Sequence, residues 1–477
     1  MYQSFLELID FMNKLSNSIY IYIYCSSKRG CFPSVLYSLT EYITMTIEVE
    51  VVSRETIKPS SPTPDHLRNY QLSFLDQVSP QFYMPWVLFY PKDTNSNLNN
   101  LEQIERIKKS LSEALTHFYP LAGRIKDNFY IECNDEGVHY VEAVAKCNLS
   151  EFLENPNPGE HNKFLPYELD NIKDVLAAVQ VTSFNCGGIV IGLELYHVIG
   201  DASSFFLFIN NWAAVARGGS IIVSPQFDVA AKLFPPVTIS GFNQNMGMIK
   251  EKLVIKRFVF DTSAIAAIRD KYTSSNTEIE YPRPTRVEAL SAFIHGRFIA
   301  ATQPEKDPSK LYLVFQTVNM RTRLDPPLPE NCFGNISQST VFVVPNETED
   351  DGFSSIVLPM RDSIKKVNLD YVKKLLESDG HLNFMAEVTE KANKGEVVAF
   401  AFTSLCRFPI YEVDFGWGKP IWGGSTKMLY PNLVTFFDTK SGDGIEAWIN
   451  LMEEDMAKFE EDKEVMEYVS LVKNSAL

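Results

Sequence analysis

The stretch IVIGLELYHVIGDASSFFLFINNW, Ile189 to Trp212, carries the main clue to the fold. It opens as an alternating strand, with Ile189, Ile191, Leu193 and Leu195 on one face and His197 continuing that face. Val198, Ile199 and Gly200 read as a turn that delivers Asp201. Ser203 or Ser204 can then cap a buried helix over Phe205 to Ala216, which Gly218-Gly219 would end. An imidazole therefore stands at the end of a core strand, four residues before a carboxylate at a helix start. Such strand ends are where a rigid scaffold can present a catalytic group. By itself the His-x-x-x-Asp spacing is a weak signal, and a lone histidine here is more often a satisfied core residue.

The chain has 477 residues, enough for two domains and a large core. Its 45% hydrophobic and 22% charged content is ordinary for a soluble enzyme. A net charge of −16 argues against nucleic-acid binding, which needs a basic surface. Seven scattered cysteines (25, 31, 133, 147, 186, 332 and 406) form no C-x-x-C pair. They read as free thiols in a reducing, cytoplasmic compartment. The seven histidines make no H-E-x-x-H pattern, so no metal site is expected. No run approaches the roughly 18 apolar residues of a membrane helix.

The first 44 residues differ from the rest and include the low-complexity run Ile19 to Tyr24. Glu7 and Asp10 precede Lys14, so they do not make a signal peptide. We expect residues 1–44 to be a non-native or disordered extension, with translation starting at Met45; an organelle-targeting segment is the alternative. Strands and helices then alternate. Glu48 to Ser53 reads as a strand, and Leu101 to Leu115 as a helix capped by Asn99 or Asn100. Strands are expected near Tyr130 and Tyr140, at Ala178 to Ser183, at Leu253 to Phe260 and at Leu311 to Val318. Thr285 and Glu288 form a capping box for a helix to about Ala301. Ile356 to Leu376 reads as helix, Leu433 to Leu451 as a hairpin, and the acidic tail from Glu453 to Ser470 as a final helix. Residues 217–250 are rich in breakers and read as a crossover. These features predict a two-domain α/β protein: residues 45–220, a crossover at 221–252, and residues 253–477.

A second motif, Asp414-Phe415-Gly416-Trp417-Gly418-Lys419-Pro420, reads as a tight loop that fixes an aromatic ring. Taken with His197-Val198-Ile199-Gly200-Asp201, it gives the chain a specific likeness. From Met45 on, the chain resembles the plant BAHD acyl-CoA-dependent acyltransferases, which pair H-x-x-x-D with D-F-G-W-G in this order. Ile57 to Pro64, Leu72 to Gln77, His117 to Arg124 and Phe184 to Gly188 also match. Within the family it is similar to the branch holding vinorine synthase, salutaridinol acetyltransferase and deacetylvindoline acetyltransferase.

The resemblance implies two similar domains, chloramphenicol acetyltransferase-like, with mixed sheets flanked by helices and a channel between them. It makes His197 the general base, acting on an acceptor hydroxyl that attacks the thioester of an acyl-CoA. No bound cofactor is implied. Asp201 would pair with Arg321, or otherwise Arg323, and hold the turn. Asp414, counted as essential in the family, would secure its loop, and Trp417 would lie near the thioester as a possible oxyanion donor. Thr285, Arg286, Thr403, Ser404 and Gly416 match segments that bind CoA in relatives. Lys256, Arg257 and Lys419 are weaker candidates for its phosphates. A monomer is the family expectation.

Three departures stand out. Ala202 follows the motif aspartate where relatives often have glycine. Leu405 follows Thr403-Ser404 where many have tryptophan. Cys332-Phe333-Gly334-Asn335-Ile336 replaces the tyrosine-led Y-F-G-N-C of anthocyanin malonyltransferases, which argues against a malonyl donor. The expected reaction is acetyl transfer from acetyl-CoA to an alkaloid-like or other plant alcohol. Alternatives are a larger donor (tigloyl, benzoyl, branched-chain or hydroxycinnamoyl) acting on another alcohol or amine, or a non-catalytic relative that assists fatty-acid elongation.

Overall fold

The computed structural model describes residues 47–469, apart from 93–98, 155–156, 173, 240–242, 246, 275–280, 304–306, 308, 346–351 and 377–379. The expectations for residues 1–44 lie outside this range, as does Ser470. Fifteen strands are described: β1 (Val49–Ile57), β2 (Asn69–Gln71), β3 (Tyr83–Tyr90), β4 (Arg124–Lys126), β5 (Tyr130–Glu132), β6 (Val138–Ala145), β7 (Ala177–Phe184), β8 (Ile189–Tyr196), β9 (Leu253–Phe260), β10 (Leu311–Asn319), β11 (Ser337–Val344), β12 (Val397–Ser404), β13 (Trp422–Gly424), β14 (Leu433–Asp438) and β15 (Ile445–Met452). They build two six-stranded mixed sheets, ordered β1-β6-β7-β8-β3-β13 and β11-β10-β12-β14-β15-β9, and a small sheet β2-β5-β4. In the second sheet β10, β12 and β14 run parallel, so their carboxyl ends lie together.

The three longest helices are α1 (Asn100–His117), α2 (Ala202–Ala216) and α3 (Arg286–Thr302). Asn99 caps α1 through a capping box with Glu102, and Thr285 caps α3 through one with Glu288. β8 is central, and all eight of its residues are buried. One face packs on α2, where Trp86, opposite Leu193, meets Phe206 at 5.4 Å. On the other face a Cβ at Gly192 would sit 1.9 Å from the Phe164 carbonyl, so the strand and the 158–164 turn close on a glycine. With both faces covered, the strand is apolar nearly throughout.

The halves of the chain are not cleanly divided between the sheets. β13 comes from the second half yet pairs with β3 of the first sheet, Trp422 opposite Phe89 and Gly424 opposite Val87. Leu433 to Leu451 forms the expected hairpin, with Asp438 opposite Ile445. The expected helix Ile356 to Leu376 is three pieces: a π-turn at Phe353–Val357, a helix at Leu358–Lys366 and another at Leu369–Leu376. The acidic tail is two helices, Glu453–Glu460 and Lys463–Tyr468, whose inner sides bury Met456, Phe459 and Val465. Among the described residues no helix is long and apolar enough to cross a membrane.

Glu194 is an apolar strand's exception. It is fully buried on the β8 face away from His197, and among the described residues neither carboxylate oxygen has a well-aligned hydrogen-bond partner, the Tyr167 backbone being the donor that comes nearest to one. Burial drives its pKa well up; the Tyr167 backbone pulls it partly back, and Glu168 adds to the rise. A carboxyl whose pKa is raised by folding costs stability as pH climbs above its unfolded value. Glu194→Met should therefore stabilise the protein by about 1–3 kcal/mol at pH 8, the usual cost of a buried unsatisfied polar group. The gain should shrink toward pH 4. Denaturant melts at both pH values check this, and a Glu194→Met protein less stable at pH 8 contradicts it.

Candidate active site

β8 ends at Tyr196, and His197–Ile199 form one tight 3₁₀ turn. The His197 N–H donates to the Phe82 carbonyl at 3.0 Å, and the two rings meet edge-on at 5.4 Å. Gly200 closes the turn, because a Cβ there would lie 2.6 Å from Ser204 Cβ. Asp201, not Ser203 or Ser204, is the N-cap of α2, accepting the Ser204 N–H at 3.1 Å. A carboxylate also gains from the positive end of the helix dipole, which is why it outcompetes serine here.

The His197 ring is partly exposed, yet its Nδ1 is enclosed with no hydrogen-bond partner. Burial pulls its pKa below the ordinary histidine value, against the opposing pull of its own carbonyl, of Asp201 and of the Asn335 side chain. The imidazole is thus neutral near pH 7, as a base must be. Asp201 is locked to Arg321, with both residues buried: Nη1 to Oδ2 at 2.7 Å and Nη2 to Oδ1 at 3.0 Å. Burial alone would push the Asp201 pKa up, but Arg321 and the amides of Ile336 and Ser204 hold it below the usual range. Arg321 also donates to the carbonyls of Cys332 at 2.8 Å and Gly334 at 3.2 Å.

A second buried carboxylate reaches the same turn. Asp76, in a capping box with Ser73, accepts the Asn335 N–H and Nδ2, both at 2.8 Å. Asn335 Nδ2 donates onward to the His197 carbonyl at 2.8 Å. Residues 334–336 are therefore gripped from both sides by carboxylates of the first half of the chain.

The carboxyl ends of β10, β12 and β14 face this turn. Asn319 Nδ2 donates to Ser203 Oγ at 3.3 Å, and Phe408 packs on Phe206 at 5.0 Å. Thr403 and Ser404, both partly buried, end β12. Arg286 Nη2 pairs with Asp438 at the end of β14 at 2.9 Å, and the Arg407 N–H reaches the same carboxylate at 2.6 Å. Thr285, Arg286, Thr403 and Ser404 are thus gathered at one end of the second sheet.

The D-F-G-W-G loop lies elsewhere. Asp414 Oδ1 accepts the N–H groups of Gly416 at 2.7 Å and Gly418 at 3.0 Å, and Gly416 adopts φ 107°. Phe415 meets Trp212 at 4.9 Å, Trp417 meets Tyr90 at 6.2 Å, and Arg217 donates to the Asp414 carbonyl. Trp212 and Arg217 lie along the far half of α2, about 16 Å and about 24 Å from Asp201 at 1.5 Å per residue. Tyr90 is at the far end of β3, about 26 Å from Phe82 at 3.3 Å per residue.

The Transferase family's sequence profile matches residues 47–466. The chain is 38% identical to stemmadenine O-acetyltransferase of Catharanthus roseus, over 88% of its own length and 97% of the relative's. It is 39% identical to a limonoid 21-O-acetyltransferase of Melia azedarach, over 89% and 99%. The solved structure of vinorine synthase aligns with a TM-score of 0.76 at 37% identity, over 89% of this chain and 99% of that one. The chain belongs to the BAHD acyltransferase family. As a BAHD acyltransferase it takes an acyl-CoA as co-substrate and holds no resident cofactor.

In this BAHD enzyme the expectations for His197, Asp201 and Arg321 coincide with one connected site. Arg323 is no partner of Asp201: it is exposed and donates to the Ile364 carbonyl at 3.3 Å, because the turn after β10 points only Arg321 inward. Asp414 and Trp417 do not join His197, and Gly416 does not join the other four CoA candidates. Asp414 braces two glycine amides, and Trp417 is a buried ring stacked on Phe415. The cause is β13, which draws residues 413–424 to the edge of the first sheet. The weaker phosphate candidates are also engaged, Lys256 with Glu460, Arg257 with buried Glu446, and Lys419 with Glu412. Asp76 and Asn335 were missed as site residues, although Asp76 falls in a stretch that matches the family and Asn335 in the segment noted as a departure from it. An oxyanion donor is typically worth about 10²–10³ in kcat, so Trp417→Phe should leave kcat within about threefold of wild type. Steady-state kinetics on the folded variant decide it, and a hundredfold loss returns Trp417 to the chemistry.

Proposed function

We propose that the protein transfers acetyl from acetyl-CoA to a hydroxyl of an alkaloid-like or other plant specialised metabolite, as a cytoplasmic monomer. The observation that carries this is His197: a neutral imidazole with Nδ1 enclosed and Nε2 free of any protein partner among the described residues. Acetyl as donor is supported by relatives named for O-acetylation of stemmadenine and of limonoids. Alcohols of those two kinds are the first acceptors to try. The cytoplasmic reading is supported by free thiols at Cys133, Cys147, Cys186, Cys332 and Cys406.

Nε2 takes the proton of the acceptor hydroxyl as its oxygen attacks the thioester carbonyl. A C–O bond forms, and the carbonyl oxygen carries the negative charge. Collapse breaks the C–S bond, and the imidazolium returns the proton to the departing CoA thiolate. Asp201 and Arg321 hold the turn and touch no reacting atom. With Trp417 remote, the hydroxyl of Thr403, which donates to no protein group among the described residues, is the better candidate for the oxyanion, with Ser404, engaged with Cys406, beside it. The test incubates the purified protein with a panel of acyl-CoAs and alkaloid and limonoid alcohols, following free CoA and new ester masses. Acetyl ester formation, lost in His197→Ala, is the expected result. Ester formation only from a larger acyl-CoA would overturn the donor assignment.

A further inference from the structure

The ends of β6 and β7 bring two cysteines together. These parallel strands pair up to Ala145 opposite Phe184. Beyond that point the two segments stay joined. The Asn185 N–H donates to the Cys147 carbonyl at 3.1 Å, and the Leu149 N–H donates to Cys186 Sγ at 3.4 Å. The second bond holds the Cys186 sulfur toward the segment that carries Cys147. Cys186 sits on the tight loop into β8, where the Phe184 carbonyl accepts the Gly187 N–H at 2.9 Å and Gly187 takes φ 86°, a value that favours glycine. Cys186 is exposed, Cys147 is half-buried, and both are free thiols. Burial raises the Cys147 pKa most, Glu151 adds to the rise and the charge of Cys186 adds again, so the two sulfurs are electrostatic neighbours. The Lys92 stem lies against the same loop, its Cδ 3.0 Å from where a Cβ on Gly187 would stand. The loop thus carries a cation in a chain of net charge −16.

We propose that Cys186 and Cys147 form a reversible dithiol site, Cys186 attacking a small anionic disulfide such as glutathione disulfide and Cys147 resolving the adduct into an internal disulfide. The Cys186 thiolate attacks one sulfur of the reagent, whose S–S bond breaks. One glutathione leaves as a thiolate and takes up the proton that Cys186 gave up. Cys147 then loses its proton and attacks the Cys186 sulfur, and the second glutathione leaves. Two protein thiols are oxidised by two electrons, and one glutathione disulfide is reduced to two thiols. The roles follow from exposure: the accessible thiol reacts first, and the shielded one beside it resolves. A disulfide needs α-carbons within about 4.4–6.8 Å, and neighbouring strands lie about 4.8 Å apart. Cys133 and Cys332 are buried, so a reagent in solution reaches neither. The site is remote from the acyl transfer. Cys186 precedes β8 and His197 follows it, about 26 Å away along the strand at 3.3 Å per residue, so closure should leave turnover unchanged. Its use is protection: an exposed thiol with a resolving partner stops at a reversible disulfide instead of going on to a sulfinic acid.

The test uses the whole protein and needs no acceptor. The reduced protein is treated with glutathione disulfide at about pH 8, quenched in acid and digested without reductant, and the peptides are weighed. The expected product is a peptide pair joined through Cys147 and Cys186, two hydrogens lighter than the free thiols and released by dithiothreitol. In Cys147→Ser the reaction should stop at Cys186, one glutathione heavier. In Cys186→Ser, Cys147 should react at least about tenfold more slowly than Cys186 does in the wild type. Because the Cys147 pKa is raised, its thiolate fraction grows in proportion as pH rises, and the resolving step should quicken about tenfold from pH 7 to pH 8. A lasting mixed disulfide on Cys186 in the wild type overturns the proposal, as does a bridge from Cys186 to any other cysteine. So does a Cys186 that stays reduced while free cysteine in the same tube is oxidised.

Discussion

His197→Ala is expected to lower kcat by about 10²–10⁴, the usual worth of a positioned general base, or about 2.7–5.4 kcal/mol of barrier. The loss should fall on the chemical step alone. The ring makes one edge-on contact with Phe82, while the turn is held by backbone and by Asn335, so deleting the imidazole leaves the scaffold in place. Acetyl-CoA binding by calorimetry should be within about twofold of wild type. The pH profile adds a sign. Burial lowers the His197 pKa, so the neutral base persists to a lower pH than an ordinary histidine would allow. The acid limb of kcat should therefore lie below the unperturbed value of about 6.5 and vanish in His197→Ala. An alanine variant with full activity and an unchanged acid limb would remove His197 from the mechanism.

What the sequence made legible was local. The strand-turn-helix of residues 189–212 is visible because apolar alternation gives way to a helical run across one glycine turn, and the capping box of Thr285 and Glu288 needs only four residues. The start of α2 was displaced onto serine because the carboxylate of Asp201 was read only as a partner for arginine, though it also caps the helix. The choice between Arg321 and Arg323 could not be made from spacing, since two residues apart on a tight turn means one inward and one outward, in an order set by the neighbouring strand. The D-F-G-W-G loop was recognisable as a loop, but its distance from His197 depends on β13 pairing across more than three hundred residues with β3. No periodicity reports such a long-range pairing. Asp76 and Asn335 carried only faint signals, a Ser73-x-x-Asp76 cap within a matched stretch and an asparagine after glycine in a segment that departs from the family pattern. Their joint purpose appears only when the second half of the chain is laid against the first.

The largest stability effect should come from Arg321→Met, about 3–5 kcal/mol, because it strips the counter-charge from a buried carboxylate. Asp201 would keep the N–H groups of Ser204 and Ile336 but lose two charged contacts, and the Cys332 carbonyl would lose its guanidinium donor, whereas that of Gly334 would keep the Ser204 hydroxyl. The matched control is Arg323→Met, where an exposed arginine touches a single carbonyl, and the expected cost is within about 0.5 kcal/mol. The pair also predicts a pH dependence. In the wild type the folded-state pKa of Asp201 is depressed, so its contribution is present above the unfolded value of about 3.9 and lost as pH falls through the folded one. In Arg321→Met that contribution is already missing at pH 7, so acidification from about pH 4 downward should cost the variant less than the wild type. A double-mutant cycle isolates the pairing. Asp201→Asn with Arg321→Met removes both charges, and its cost should fall short of the sum of the single costs by more than about 1 kcal/mol. Additive costs would mean that the pair acts through separate contacts. Activity should follow the same order, because residues 334–336 carry Asn335 to the His197 carbonyl. An Arg321→Met protein that is destabilised yet fully active would show that the grip on the turn is not needed for proton transfer.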